Sequence, residues 1–297
     1  MARAERAIAQ CENPTEPTSY RSSGGDIAPV NAWRETDNLL CIDGGFHDGL
    51  GAWLDDTLVP DDQVVIRSVG GLGREGILAG EAIKAADASV IVWDYCLSAC
   101  ANGPVLGAKE VLVPQEGFIA WHGGLPRNRL EYVLLDETAQ SLLGSELPAL
   151  FEQFRQTGQT TVPDALWLQL PEEDRARFDE RAPWRERSAA LVAAAGVHPD
   201  FLAAGGFASR HAHPGILEVA RINFETLDVI AWSPLAPELE AWGLEHVIVW
   251  GPETPRELFD LGVAQPPRIV LNAAVLEPGD IYRLPLDVTE PDGPEER

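Results

Sequence analysis

The stretch that decides the fold runs from Ser68-Val69-Gly70-Gly71, through Ser89-Val90-Ile91-Val92-Trp93, to Cys96-Leu97-Ser98-Ala99-Cys100 and then Ile119-Ala120-Trp121-His122. Residues 89–93 are almost wholly apolar and rich in Val and Ile, the pattern of a strand covered on both faces. Between Gly71 and Ser89, residues 74–86 carry Ile77, Leu78, Ala82 and Ile83 at helical spacing, with Arg74, Glu75, Glu81 and Lys84 between them. Upstream, residues 39–42 and 64–66 are short apolar strands. Residues 48–58 form a helix with Leu50, Trp53, Leu54 and Leu58 on one side and Asp48 as its cap. Strand and helix alternating at short intervals predict an α/β layered fold with parallel pairing.

Further along, Val111–Val113 and residues 118–121 are strands, and residues 130–154 carry an apolar leucine and phenylalanine stripe of a long helix. Helices are expected at 186–195, at 215–224 and from Ser233-Pro234 to Gly243, and strands at 246–250 and Ile269–Asn272. The polar, tryptophan-bearing stretch 157–185 has no assigned structure. Pro14, Pro17, Gly24, Gly25 and Pro29 interrupt any periodicity before residue 36, so 1–36 reads as an irregular N-terminal arm. The expected division is this arm, a single domain over 37–285 with a helical insertion at about 127–223, and an acidic tail at 286–297.

A chain of 297 residues with 45% apolar content has material for a sizeable core. Its formal net charge of −25 argues against nucleic acid or an anionic membrane surface as a partner. No run of about 18 apolar residues supports a membrane-spanning helix. Residues 1–10 lack the apolar core of a signal peptide, which leaves a cytoplasmic protein or one whose leader has been removed. Cys11, Cys41, Cys96 and Cys100 allow two readings: disulfides Cys96 to Cys100 and Cys11 to Cys41 in an oxidising compartment, or buried thiols in a reducing one. The first is favoured.

The chemistry centres on Ser98. A serine hydroxyl attacks a carbonyl only when a base takes its proton, and the oxyanion formed needs donors placed beforehand. A strand-to-helix turn exposes the hydroxyl and turns the Ala99 N–H toward the developing charge, while Gly70 and Gly71 let a second backbone approach. His122, at a later strand end, is the candidate base. The bland readings are a helix cap for Ser98, a turn for the glycines and a structural histidine. Gly-Gly, Ser98 and His122 in that order raise the odds against them. His211 and His213 with Cys96 and Cys100 have no four-ligand spacing, so no metal is expected; nor is any cofactor. Cys96 or Cys100 as the nucleophile would need a lowered pKa.

Ser68-Val69-Gly70-Gly71, the Cys-Leu-Ser-Ala-Cys turn, the 106–111 connection and Ile119-Ala120-Trp121-His122 resemble the serine-protease core of the ClpP/crotonase superfamily, nearest its ClpP-like periplasmic proteins. The resemblance covers residues 39–124. It implies a repeated ββα spiral core, a Ser98–His122 pair, an oxyanion hole at Gly70, Gly71 and Ala99, a peptide or protein substrate, a periplasmic or secreted location and a homo-oligomer such as a ring or trimer. A second similar segment, from Trp232 to Leu244, implies Asp228 as the third catalytic residue, with Glu225 as substitute or a Ser-His dyad without either. Two rivals remain: a binding or assembly module that keeps only the scaffold, and a crotonase-like acyl-CoA enzyme, whose mark is an oxyanion pair without a Ser-His contact.

Overall fold

The computed structural model describes residues 1–16, 18–25, 27–143, 145–146, 149–150, 152–153, 161–210, 229–254, 257–258, 260–261 and 269–272. The Val- and Ile-rich segments pair as expected. Strands β3 (Leu39–Gly44), β4 (Gln63–Ser68), β5 (Ser89–Leu97), β6 (Val111–Val113) and β9 (Val247–Val249) lie side by side and parallel, with Leu40 opposite Val64 and Val64 opposite Val90. Helix α2 (Leu50–Thr57) joins β3 to β4, and α3 (Gly73–Ala85) joins β4 to β5. The protein is a mixed α/β structure built on a central sheet.

A second, shorter layer grows from the strand ends. Phe46 forms a parallel bridge with Gly71, and the last part of β5 pairs with β7 (Phe118–Ala120). Each unit therefore runs strand, short second strand, helix, which is the ββα repetition expected of the chain. Strand β5 serves both layers: Val90 and Ile91 pair with β6, whereas Tyr95, Cys96 and Leu97 pair with β7. The change of partner occurs where Ile66 pairs with Val92 but Ser68 with Cys96, so β5 carries two extra residues. Asp94, at φ 64°, makes that bend.

The first 36 residues are not an irregular arm. They form helix α1 (Ala2–Glu12) and strands β1 (Tyr20–Gly24) and β2 (Ile27–Thr36), and the antiparallel pair β1 and β2 extends the main sheet beside β3. Pro14 follows the helix end, Gly24 and Gly25 make the hairpin turn, and Pro29 lies at the irregularity in β1–β2 pairing, so these four break nothing, and Pro17 lies outside the described residues. A domain boundary at residue 36 is therefore replaced by one continuous sheet. Ala4, Ala7 and Cys11 of α1 cover the face formed by Trp33, Leu39, Cys41, Val65, Ile91 and Trp93, and Cys11 is bonded to Cys41.

Other boundaries also move. The leucine stripe after residue 129 belongs to two helices, α5 (Arg129–Leu135) and α6 (Glu137–Leu143), because Asp136 leaves the helix and accepts from Ala139 N–H at 2.9 Å. The unassigned stretch 157–185 contains α7 (Asp164–Trp167), α8 (Glu172–Glu180) and the start of α9 (Ala182–Ala194). Tyr132, Trp167 and Phe178 hold these together edge to face, with ring centroids 5.2–5.7 Å apart. Helix α2 begins at Gly49 rather than at an Asp48 cap, and the Asp48 carboxylate pairs with Arg74. Ser233 does not start the next helix; its hydroxyl donates to Ile119 C=O at 2.6 Å, and α11 (Ala236–Ala241) begins after Leu235. The helix expected at 215–224 and the tail 286–297 lie outside the described residues.

Helix α4, a wide-wound segment Ala101–Val105 continuous with the helical residues 99–107, follows Ser98 and contains Pro104, whose missing N–H suits the looser winding. It packs on α3 through glycines. A Cβ on Gly103 would lie 1.7 Å from the Gly76 carbonyl oxygen, one on Gly107 2.0 Å from that of Gly80, and one on Gly76 2.3 Å from that of Ala99. Backbones touch here, and no side chain fits between them. Helix α9 closes over this seam, with the Leu191 side chain against Gly80 and Arg187 paired to Glu81. Gly103→Ala is expected to lower unfolding free energy by about 1–3 kcal/mol through overpacking, read as a lower midpoint in urea with an unchanged slope.

Candidate functional site

Ser98 ends β5 in the left-handed region, at φ 55°. A non-glycine residue held there is strained, and the surroundings must fix it. They do so on three sides. Ser98 N–H donates to Ala120 C=O of β7 at 3.2 Å, and Ser98 C=O accepts from Asn102 N–H at 2.8 Å. Cys96 and Cys100 are bonded to each other across the turn. The residue is partly exposed, and its hydroxyl has no hydrogen-bond partner among the described residues. With both sulfurs in the disulfide, neither Cys96 nor Cys100 offers a thiolate as nucleophile or metal ligand.

The two glycines come from the end of β4. Ser68 Oγ accepts from Gly70 N–H at 3.0 Å and folds the chain into the turn. Gly70, at φ 92°, lies so close to the Ser98 turn that a Cβ would be 2.6 Å from Ser98 Cβ and 2.9 Å from Ala99 N. Phe46 N–H donates to Gly70 C=O at 2.7 Å, and Leu72 N–H to Phe46 C=O at 2.9 Å. Those two bonds use the peptides on either side, so Gly71 turns its own N–H away from Phe46. Neither Gly71 N–H nor Ala99 N–H has a partner among the described residues. Gly70 thus meets Ser98 and Ala99, and its neighbour Gly71 carries, like Ala99, a backbone N–H without a partner among the described residues.

His122 follows β7 and is exposed. Its backbone is bracketed by two anchors to the Ser98 turn: Ala120 C=O on Ser98 N–H, and Gly123 C=O on Asn102 Nδ2 at 2.7 Å. Trp121 between them exchanges both backbone bonds with Trp232 of β8 (Val229–Trp232), at 2.7 Å each. His122 has an interaction of its own, and the Ser98 hydroxyl has none among the described residues. Asp228, Glu225, His211 and His213 lie outside the described residues. Among the described residues no group of three or more His, Cys, Asp and Glu is placed to hold a metal, and no helix is long and apolar enough to cross a membrane.

Two features escaped the reading of the sequence. Asn102, one helical turn beyond Ser98, ties the His122 segment to the Ser98 helix; the four-residue spacing from Ser98 was its only signal. Arg67 sits across the strand ends and donates to Asp43 at 2.9 Å through both Nε and Nη2, and to Asp94 at 3.2 Å. Its guanidinium lies 3.8 Å over Trp93. The Asp43 hydrogen bonds raise the Arg67 pKa further above its ordinary value, against the opposing effect of burial. This ion cluster pins the Asp94 bend that carries β5 to Ser98. Tyr95, beyond the bend, has its phenol pKa raised by burial.

No protein-family model and no curated protein matches the chain. Among solved structures it is similar to an enoyl-CoA hydratase of Mycobacterium smegmatis, at 12% identity over 67% of this chain and 91% of that one, with a TM-score of 0.26. A putative enoyl-CoA hydratase of Rhodopseudomonas palustris aligns at 17% identity over 64% and 82% of the two chains, with a TM-score of 0.25. One of Streptomyces coelicolor aligns at 11% over 71% and 96%, with a TM-score of 0.24. Likenesses of that size carry no argument about activity, and the fold stands on the pairings described above.

Gly70→Ala puts a methyl group against Ser98 and Ala99 at a backbone angle suited to glycine. It is expected to cost about 1–3 kcal/mol of unfolding free energy, measured by urea titration.

Proposed function

We propose that this chain is a serine hydrolase acting on an acyl bond of a peptide or protein. The observation that carries the reading is the Ser98 turn: a serine at φ 55° between strand and helix, its hydroxyl unbonded, beside the unbonded N–H groups of Gly71 and Ala99. That is the arrangement of a nucleophile elbow, in which strain exposes Oγ and the following peptide supplies an oxyanion donor. In this reading Oγ attacks the carbonyl carbon, His122 takes the hydroxyl proton and returns it to the leaving amine, and Gly71 and Ala99 hold the oxyanion. Water then releases the acyl group from Ser98. Asp228, outside the described residues, is the residue this reading assigns to orient His122. The imidazole closes on Oγ when substrate enters, as catalytic hydrogen bonds that are open in a free enzyme do. Both cysteine pairs are bonded, which suits a periplasmic or secreted protein.

One observation favours a second reading. The Ser98 hydroxyl, unbonded among the described residues, also fits a crotonase-like acyl-CoA enzyme, in which the same two N–H groups would hold a thioester oxygen. The acidic chain, at −25, opposes the phosphates of such a substrate.

Labelling with a fluorophosphonate probe separates the two. The hydrolase reading expects covalent labelling of the folded protein that is abolished in Ser98→Ala and slowed at least about a hundredfold in His122→Ala, the usual weight of a general base. Folded protein that resists the probe yet binds a CoA thioester saturably would replace this reading with the second.

A further inference from the structure

Helix α9 turns one side toward a cavity of about 200 Å³ that lies between it, the start of α10 (Phe201–Arg210) and residues 125–131. Leu125, Val192, Val197 and Leu202 make most of its wall apolar. Two polar residues of α9 also line it, Arg185 and Ser188, three residues apart and so on one side of the helix. Beyond them, Ala189 and Val192 continue the same side, so the cavity has a polar end and an apolar end.

Both polar groups keep donors that no described residue takes up. Ser188 is 6% exposed, and its hydroxyl has no hydrogen-bond partner among the described residues. Arg185 stacks 3.8 Å over Phe178 and donates to the Phe178 carbonyl, but forms no ion pair within the described residues. Burial lowers its pKa from the ordinary arginine value, and the nearby carboxylates of Asp179 and Glu186 act against that lowering. The other ionised groups at the wall are already matched: Glu131, 2% exposed, is bonded to Arg127, which also pairs with Asp200. Arg185 also borders a more open depression lined by Arg129 and Phe178, which gives the polar end a route to solvent.

We propose that this cavity binds a small aliphatic carboxylate, its chain against Val192 and Leu202 and its carboxylate on Arg185 and Ser188. A planar carboxylate accepts two parallel bonds from a guanidinium and a third from the hydroxyl, which supplies the counter-charge to Arg185 and a partner to Ser188. Engineered apolar cavities of roughly 150 Å³ already take up benzene, so the apolar end has room for a short chain. Ser98, His122, Gly71 and Ala99 are not among the residues that line it, and the proposal does not depend on their roles.

Octanoate and its neutral isostere octanamide, titrated calorimetrically into the full chain, provide the test. The expected result is saturable one-to-one binding of octanoate, at least about tenfold weaker for octanamide and for octanoate with Arg185→Gln, the usual weight of a charged hydrogen bond. Ser188→Ala weakens octanoate by a smaller factor. Failure of octanoate to saturate, or equal affinity for the two ligands, overturns the proposal. The comparison of ligands uses the unmodified protein, so it decides the matter even if a variant does not fold.

Discussion

The contact on which the site depends is the one between two helix backbones. Gly76 and Gly80 of α3 face Gly103 and Gly107 of the Ser98 helix, and would-be side chains there fall within 2.5 Å of the opposing carbonyls. Helix α3 begins directly after Gly70-Gly71, and the second helix begins directly after Ser98. The closeness of the helices therefore sets the closeness of the Gly70 turn to Ser98 and Ala99. A wider crossing would separate the two turns. Small residues four apart are the device that permits the approach, and the wide winding at Pro104 adjusts the second helix to it.

The other half of the positioning comes from β5. Its first part belongs to the main parallel sheet, and its last three residues belong to the layer with β7. The bend at Asp94 is an unfavourable backbone state for a non-glycine residue, and the Arg67 cluster holds it with charge-assisted bonds to both Asp43 and Asp94. Ser98, four residues on, is a second such state, closed by the Cys96–Cys100 bond. Two strained residues on one strand are tolerable because each is tied at several points, and the cost of each, about 1–3 kcal/mol, is spread over a rigid surround.

The parallel strands were legible because Val-rich runs such as 64–66 and 89–93 admit little else when both faces are covered. Gly70-Gly71 and Ser98 were legible for a different reason: their local conformations need those residue types. The N-terminal strands were not, since Pro29 and the Gly24-Gly25 pair look like breakers until the hairpin turn and the irregular pairing that hold them are seen. The apolar stripe after residue 129 ran through Asp136 without a change of period, and only the cap that its carboxylate gives Ala139 marks the break. The glycine seam was present in the sequence as two pairs at four-residue spacing, but nothing in one chain says which pair meets which. The link from Asn102 to Gly123 is of the same kind, a contact fixed by topology rather than by pattern.

Helix α1 gives the protein a property that neither its charge nor its site would suggest. The face under it, with Trp33, Ile91 and Trp93, is apolar, and α1 covers it with Ala4, Ala7 and Cys11, helped by the partly buried Ile8. The short connection from α1 to β1 already keeps this cover beside the face, and the Cys11–Cys41 bond adds a second tie at the end of the helix. Two tethers close so short a helix onto the sheet, and each narrows the positions it can take when it lifts.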